Sequence, residues 1–464
     1  MTKYDSIRET DLLVIGGGPG GYHAAFRAAS NGIETLLIEA ETILGGVCLL
    51  RGCIPSKTYL SIAETVHAAA ACRDMGIEFG TPQLDIDAIR RRKEQVVSTL
   101  AGGLDKLSKK HKVNRLCGKA RFLDGRHVAV AGSEGERVAF QRAIIATGSR
   151  SIRLEGVQIE SPRVLTSRTA LDLADIPETL LVIGGGYIGL ELGQVYAAFG
   201  SKVTVVEMLP NILPGVDRDL GRPLLRRLEN DFEAICLETK VTSMKEVSGG
   251  IAFTFEGKNP PEPNRFDKVL VSVGRRPNSD DLSLENAGVD VDTHGFIQTD
   301  ATFATTAENI YAIGDVIGNP MLAHKALHEG TAMADRLAGK DTVSQPRAIP
   351  AVVFTDPAVA WAGYTEAEAK EQGLDFVMKK MPWSASGRAV SLGRTDGLTK
   401  LLFEKDSQRL IGIGLTGPHA GEMIAEGVLA LEMGATARDL ARTIHPHPTL
   451  SETIGEAASL MPGV

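Results

Sequence analysis

The chain has 464 residues, 43% hydrophobic and 23% charged, with 50 glycines and a net charge of −8. That length exceeds one ordinary core and predicts three or four domains, and the negative balance argues against non-specific binding to nucleic acid or a membrane surface. No apolar run approaches the roughly 18 residues of a membrane span, five cysteines make a poor disulfide framework, and "MTKYDSIRETDLLVIGGG" carries no secretory or organellar leader pattern, so a reducing cytoplasm is the expected setting.

The first organised segment is "LLVIGGGPGGYHAAFRAASNGIETLLIEAE". It reads as a buried strand, a glycine loop, an apolar-periodic helix and a second strand closed by Glu39, 23 residues after Gly16. In such a unit Gly16 allows the tight turn and Gly18 lets a pyrophosphate approach the backbone. Gly21 lets helix and strand pack closely, and the helix N-terminus faces the phosphates. Glu39 is placed to accept hydrogen bonds from a ribose hydroxyl. The flanking strand and helix make dinucleotide binding the reading over a structural turn.

Next comes "GGVCLLRGCIPSK", residues 45 to 57, with four residues between Cys48 and Cys53. This is not a compact zinc spacing, and no nearby Cys or His cluster completes four ligands, so no metal is expected. A bridge, structural or redox-active, remains. Residues five apart in a regular α-helix have Cα atoms roughly 8–9 Å apart, whereas a disulfide needs about 7 Å or less. If the two cysteines bond, a helix cannot run regularly through both. Gly52 supplies local freedom, and Pro55 suits the first turn of a helix starting beyond it. Closing so small a loop gives little chain-entropy stabilisation, which favours a reactive pair over a staple. Cys72, Cys117 and Cys236 lack any such setting and are expected to be buried or inert. The charged run "IRRRKEQVVSTLAGGLDKLSKKHK" is expected to be a solvated helix face.

The glycine unit then recurs as "LLVIGGGYIGLELGQVYAAFGSKVTVVEM", with Gly184, Gly186 and Gly189, and with Glu207 again 23 residues after the first glycine. Two units imply two dinucleotides. A carboxylate at 207 favours a free 2′-hydroxyl and repels a 2′-phosphate. Met208 follows where an NADP site wants a nearby arginine, so NAD is expected.

Two further stretches resemble the remaining fingerprints of two-dinucleotide flavoproteins: "AIIATGSR", with Thr147 and Gly148, and "NIYAIGDV", with Gly314 and Asp315. The resemblance implies FAD on the first unit, with Asp315 bonding the flavin ribityl chain. Together with the cysteine motif, "VGRRPN" (including Gly274), "MLAHKA" and "HPHPTLSE", the chain resembles the pyridine nucleotide-disulfide oxidoreductases nearly end to end. Within them it is most similar to the branch that oxidises dihydrolipoyl groups. That implies an α/β fold with two Rossmann-like dinucleotide-binding domains, for FAD and NAD, plus a C-terminal α+β dimerisation domain. The expected bounds are 1–150 for the FAD domain with the redox disulfide, 151–276 for the NAD domain, 277–346 for a central domain completing the FAD site, and 347–464 for the interface domain.

The resemblance also implies roles. Cys48 is the interchange thiol and Cys53 the thiol beside the flavin, joined as a disulfide in the oxidised enzyme. Lys57 and Glu191 lie near the flavin and nicotinamide rings. His447 is the catalytic base, oriented by Glu452 and contributed from the other subunit of a homodimer; His445, by contrast, is read from the sequence as structural. The substrate is a lipoyl-bearing carrier protein. The alternatives are a reductase of another disulfide using NADH or NADPH, and a non-catalytic flavoprotein subunit. The sequence departs from the family motif at Val47, Leu50 and Arg51, and at Leu327 and His328. Arg51 has two readings: a cation that stabilises the thiolates and makes the disulfide more oxidising, or a side chain that points to solvent or pairs with a carboxylate.

Overall fold

The computed structural model describes residues 7–132, 136–342 and 346–464. The chain forms two compact units, each discontinuous in sequence. The first gathers Met1–Thr58, Asp87–Ile152 and Gly274–Gln345; the second gathers Tyr59–Ile86, Arg153–Val273 and Pro346–Val464. Residues 59–86 therefore group with the second unit, although in sequence they lie inside the first 150 residues.

In the first unit the strand Ile7–Ile15 runs between Thr35–Glu39 and Arg137–Ile145, parallel to both. Asn114–Cys117 extends the sheet beyond Thr35–Glu39, and Ile310–Ala312 adds in parallel to Arg137–Ile145. The run Leu12–Ile15 is continuously apolar because both faces of this sheet are buried. Leu12 and Val14 join the core under the helix Pro19–Ser30, while Leu13 and Ile15 join the core on the opposite face. That helix packs on Ala323–Leu337 almost backbone to backbone: a Cβ added to Gly330 would lie 2.3 Å from the carbonyl oxygen of Gly20. Arg27 closes the pair with two 2.7 Å hydrogen bonds to Asp335.

In the second unit a parallel sheet runs in the order Ala234–Cys236, Lys202–Val206, Thr179–Ile183, Lys268–Val271, Val164–Leu165. The C-terminal part is an antiparallel sheet, ordered Ala351–Val353, Ala358–Gly363, Leu410–Gly417, Leu398–Glu404, Phe376–Pro382. Its core centres on Trp383, which is fully buried. The indole Nε1 donates to Thr399 Oγ1 at 3.0 Å, and Thr399 in turn bonds Thr453 at 2.7 Å, which anchors the helix Glu452–Ser459 to the sheet. Two Rossmann-like sheets followed by an α+β domain is the expected fold class. Among the described residues no helix is long and apolar enough to cross a membrane.

Candidate active site

The two glycine loops divide their labour in the same way. The first glycines, Gly16 and Gly184, have φ of +107° and +105°, and a Cβ on either would strike the backbone just past the end of a neighbouring strand, at Ala146 and Ser272 respectively. The third glycines, Gly21 and Gly189, pass within 1.8 and 2.3 Å of a carbonyl oxygen when given a Cβ. The second glycines differ. A Cβ on Gly18 meets only Gly46 at 3.9 Å, and one on Gly186 meets nothing within 4 Å. Protein packing therefore does not require glycine there, but close approach of a pyrophosphate does. Each helix begins with that glycine as its N-cap, with no side-chain cap and no acidic residue in the first turn, so the first N–H groups face an anion site.

The two closing glutamates also repeat each other. Glu39 accepts from Gly17 N at 2.5 Å and from Glu41 N at 2.9 Å. Glu207 accepts from Gly185 N at 2.7 Å and from Leu209 N at 2.8 Å. A carboxylate offers about four lone-pair sites, so each keeps capacity for a ribose hydroxyl. Each cradle fits a dinucleotide: Gly16, Gly18, Gly21 and Glu39 are the residues expected at FAD, and Gly184, Gly186, Gly189 and Glu207 those expected at NAD.

Other residues expected at FAD meet in the first unit. Thr147 Oγ1 donates to Asn278 O at 2.8 Å, and Asn278 N donates to Gly148 O at 2.9 Å. Ser149 Oγ donates to Asp315 Oδ2 at 2.5 Å, and Arg275 Nε donates to Ser149 Oγ at 2.8 Å. Gly314 N donates to the buried Glu329 carboxylate at 2.7 Å, which Lys325 pairs at 2.7 Å. Ser149, Arg275 and Glu329 were not singled out in the sequence, although Ser149 directly follows the "ATG" stretch. Gly274 turns with φ +127° and its carbonyl accepts from Ile152 N at 3.0 Å. Glu191, buried in the Tyr187–Ala198 helix, accepts from Phe354 N at 2.9 Å.

The cysteine segment is clamped onto the first glycine loop. Gly45 N donates to Gly17 O at 2.9 Å, and Gly46, with φ +58°, would push a Cβ to 2.6 Å from Gly18 Cα. The helix Gly46–Arg51 ends at Gly52, whose φ of −147° and ψ of −112° break the spiral, as a Cys48–Cys53 bond demands. A new helix then runs Cys53–Ala71. It starts two residues before Pro55 instead of beyond it. Pro55 lacks the N–H that has no partner in the first turn anyway, and Ser56 N takes up the Gly52 carbonyl at 3.0 Å.

Both cysteines are thiols here, half-buried and hydrogen-bonded to each other. The Cys48 pKa is pushed far up, first by that hydrogen bond, then by burial and by negative charge on Cys53; Lys57 pulls it down. The pair thus resists carrying two negative charges, and Lys57 favours one. Tyr22 lies in the same field: burial, then Cys48 and Cys53, push its phenol up to about 12.

Arg51 does not take the thiolate-stabilising role. Its Nη2 pairs with Glu41 Oε1 at 2.7 Å, so its guanidinium is directed to a carboxylate. We expect Arg51→Val to move the potential of the Cys48–Cys53 couple by less than about 30 mV, measured by dithiol titration. His328 lies on an exposed face of Ala323–Leu337. Of the other cysteines, only Cys236 is buried, which raises its pKa; Cys117 is exposed and Cys72 intermediate, so burial does not explain those two. Among the described residues no group of three or more His, Cys, Asp or Glu is arranged for a metal.

In the second unit His447 Nδ1 lies 2.9 Å from Glu452 Oε1, while Glu452 Oε2 accepts from Thr449 N at 2.7 Å. Thr449 N–H, and then His447, hold the Glu452 carboxyl below its ordinary range. An ionised acceptor at Nδ1 puts the ring proton there and leaves Nε2 as the basic nitrogen. The His447 side chain is 80% exposed. His445 is the opposite case, 9% exposed and held between Glu426 Oε1 at 2.7 Å and Thr443 O at 3.0 Å.

Residues 10–330 match the family described as pyridine nucleotide-disulphide oxidoreductase, and residues 349–458 match its dimerisation domain. The chain belongs to the pyridine nucleotide-disulphide oxidoreductase family. It is 45% identical over 457 residues to the dihydrolipoyl dehydrogenase of Vibrio cholerae, covering 98% of this chain and 96% of that one. The dihydrolipoyl dehydrogenase of Bacillus subtilis is also 45% identical, over 465 residues, with 100% and 98% covered. Among solved structures, the flavoprotein disulfide reductase RclA of Escherichia coli superposes with a TM-score of 0.87 at 28% identity, over 97% of this chain and 99% of that one. LpdA of Mycobacterium tuberculosis gives 0.89 at 25% identity, again over 97% and 99%. The family uses FAD and NAD(H), and this member is an NAD-dependent oxidoreductase with the family's dimerisation domain.

Proposed function

We propose that this oxidoreductase converts the dihydrolipoyl group of a carrier protein to lipoyl, with NAD as the final acceptor and a Cys48–Cys53 disulfide as the group that first takes the electrons. The observation that carries the reading is the pair of thiols held across the break at Gly52 beside the first glycine loop.

His447 Nε2 takes a proton from one substrate thiol, and Glu452 holds the imidazolium that forms. The substrate thiolate attacks Cys48 Sγ; the Cys48–Cys53 bond breaks and Cys53 leaves as a thiolate. The second substrate thiol, once deprotonated, attacks the substrate sulfur of the mixed disulfide and expels Cys48. The substrate is now a disulfide and the chain a dithiol. Lys57 favours the thiolate state. FAD, which Gly16, Gly18, Gly21 and Glu39 would hold, would supply the redox link between the Cys48–Cys53 dithiol and NAD. His447 and the dimerisation domain support delivery of the base to a partner subunit, since the imidazole is exposed in a single protomer.

The test is NADH formation from dihydrolipoamide and NAD, with NADP in parallel. Rapid turnover with NAD alone is expected, because a carboxylate at Glu207 favours a free 2′-hydroxyl and repels a 2′-phosphate. Silence with both cofactors, from FAD-loaded protein, would move the assignment to another disulfide substrate. Glu452→Gln removes the anion that orients His447 Nδ1 and is expected to lower kcat by about 10²-fold, read from steady-state rates at fixed pH with FAD content unchanged.

A further inference from the structure

A cavity of 970 Å³ in the second unit belongs to neither the glycine loop nor the His447 pair. It is lined by the helix Arg218–Asp231, by the helix Glu366–Glu371 with Lys380, and at one end by Pro210 and Asn211. Its volume suits a small molecule of cofactor size.

The charges around it do not cancel. Asp217, Asp219 and Glu366 surround Lys400 Nζ at 2.9, 3.0 and 2.8 Å. Asp219 also pairs with Lys380 at 2.5 Å, and Glu366 with Lys370 at 2.6 Å. Three lysines thus answer three carboxylates. Arg218, Arg222 and Arg226 also line the cavity, each exposed and four residues apart on one helix face. None of the three has an ion pair among the described residues. Glu229 is the one acid at the cavity left outside the lysine network. Like charges one turn apart weaken a helix, and in a chain of net charge −8 this cationic face selects anions locally.

We propose that the cavity binds an oligophosphate. The three arginines extend over about 12 Å of helix, which suits several phosphates in series better than one, and guanidinium forks suit phosphate oxygens. Occupancy is linked to the NAD site through the segment that begins at Leu209. Leu209 N donates to Glu207, and Leu213 N donates to Gly185 O at 2.9 Å. A ligand that shifts this segment changes NAD affinity, and NAD reciprocally changes the affinity for the ligand.

The experiment is isothermal titration of the FAD-loaded dimer with tripolyphosphate, orthophosphate and ATP. Saturable tripolyphosphate binding, with much weaker orthophosphate binding, is expected. Arg222→Ser combined with Arg226→Ser should weaken tripolyphosphate about tenfold or more, while turnover without phosphate stays unchanged. ATP that matches tripolyphosphate assigns recognition to the phosphate chain; ATP that binds much more tightly and ignores the arginine changes overturns the assignment. Equal tripolyphosphate affinity in the double variant, or no saturable binding at millimolar concentration, also overturns it.

Discussion

Cys48→Ser is expected to abolish dihydrolipoamide oxidation, to below about 10⁻⁴ of the normal rate, while the folded protein keeps its FAD. The change replaces one half-buried sulfur by oxygen and disturbs no packing. Serine cannot form the mixed disulfide, and its hydroxyl is a far weaker nucleophile than a thiolate at neutral pH. Cys53→Ser should be equally inactive, but the two variants differ in a way that assigns roles. Offered lipoamide disulfide in reverse, Cys53→Ser keeps Cys48 as an attacking thiol and lacks the partner that would resolve the adduct. Mass spectrometry should then find a substrate adduct on Cys48. Cys48→Ser should give none. NADH oxidation by a dye acceptor bypasses the disulfide and should persist in both. Retention of more than about 1% of dihydrolipoamide turnover in either variant would remove the pair from the mechanism.

The parts of this site that were legible in sequence are those written locally. The glycine loops specify their own backbone conformation, and the repeated Gly-to-Glu spacing carries over into repeated hydrogen bonds at Gly17 and Gly185. The break between Cys48 and Cys53 was legible too, because disulfide geometry forbids a continuous helix and Gly52 lies between them. What was not legible depends on residues far apart in the chain. Arg51 is claimed by Glu41 across a loop, so its place between two cysteines said nothing about its direction. Ser149 and Arg275 meet at Asp315 only through tertiary packing. The start of the helix at Cys53 was missed because a proline tolerated in the first turn also fits a later start. Nor does any spacing announce Lys400, whose three carboxylates come from two separate segments.

Lys400→Met is expected to destabilise the protein by about 3–5 kcal/mol, the usual cost of stripping one partner from a buried ionic cluster. Lys400 is 1% exposed and Asp217 8%. After the substitution Asp219 keeps Lys380 and Glu366 keeps Lys370. Among the described residues Asp217 keeps only the backbone N–H of Glu366, at 3.1 and 3.0 Å to its two oxygens. Asp217→Asn in the Lys400→Met background should therefore recover part of the loss, a coupling that a double-mutant cycle of urea midpoints at fixed protein concentration would measure. The pH dependence has a definite sign. Hydrogen bonds from Lys370 and Lys400 hold the Glu366 carboxyl at about 2 against an ordinary 4.5, and Asp219 is lowered likewise. Their contribution is complete above pH 4.5 and is lost as pH falls toward 2. Burial alone would lower the Lys400 pKa, but the three carboxylates outweigh it and raise the pKa above 10.5, so its contribution is complete below 10.5 and is lost only in stronger alkali. The wild-type cluster is thus in force across the neutral range, and Lys400→Met should flatten the acid edge of the stability profile. A variant within about 1 kcal/mol of wild type at pH 7, with an unaltered acid edge, would show that the three carboxylates are held without the lysine.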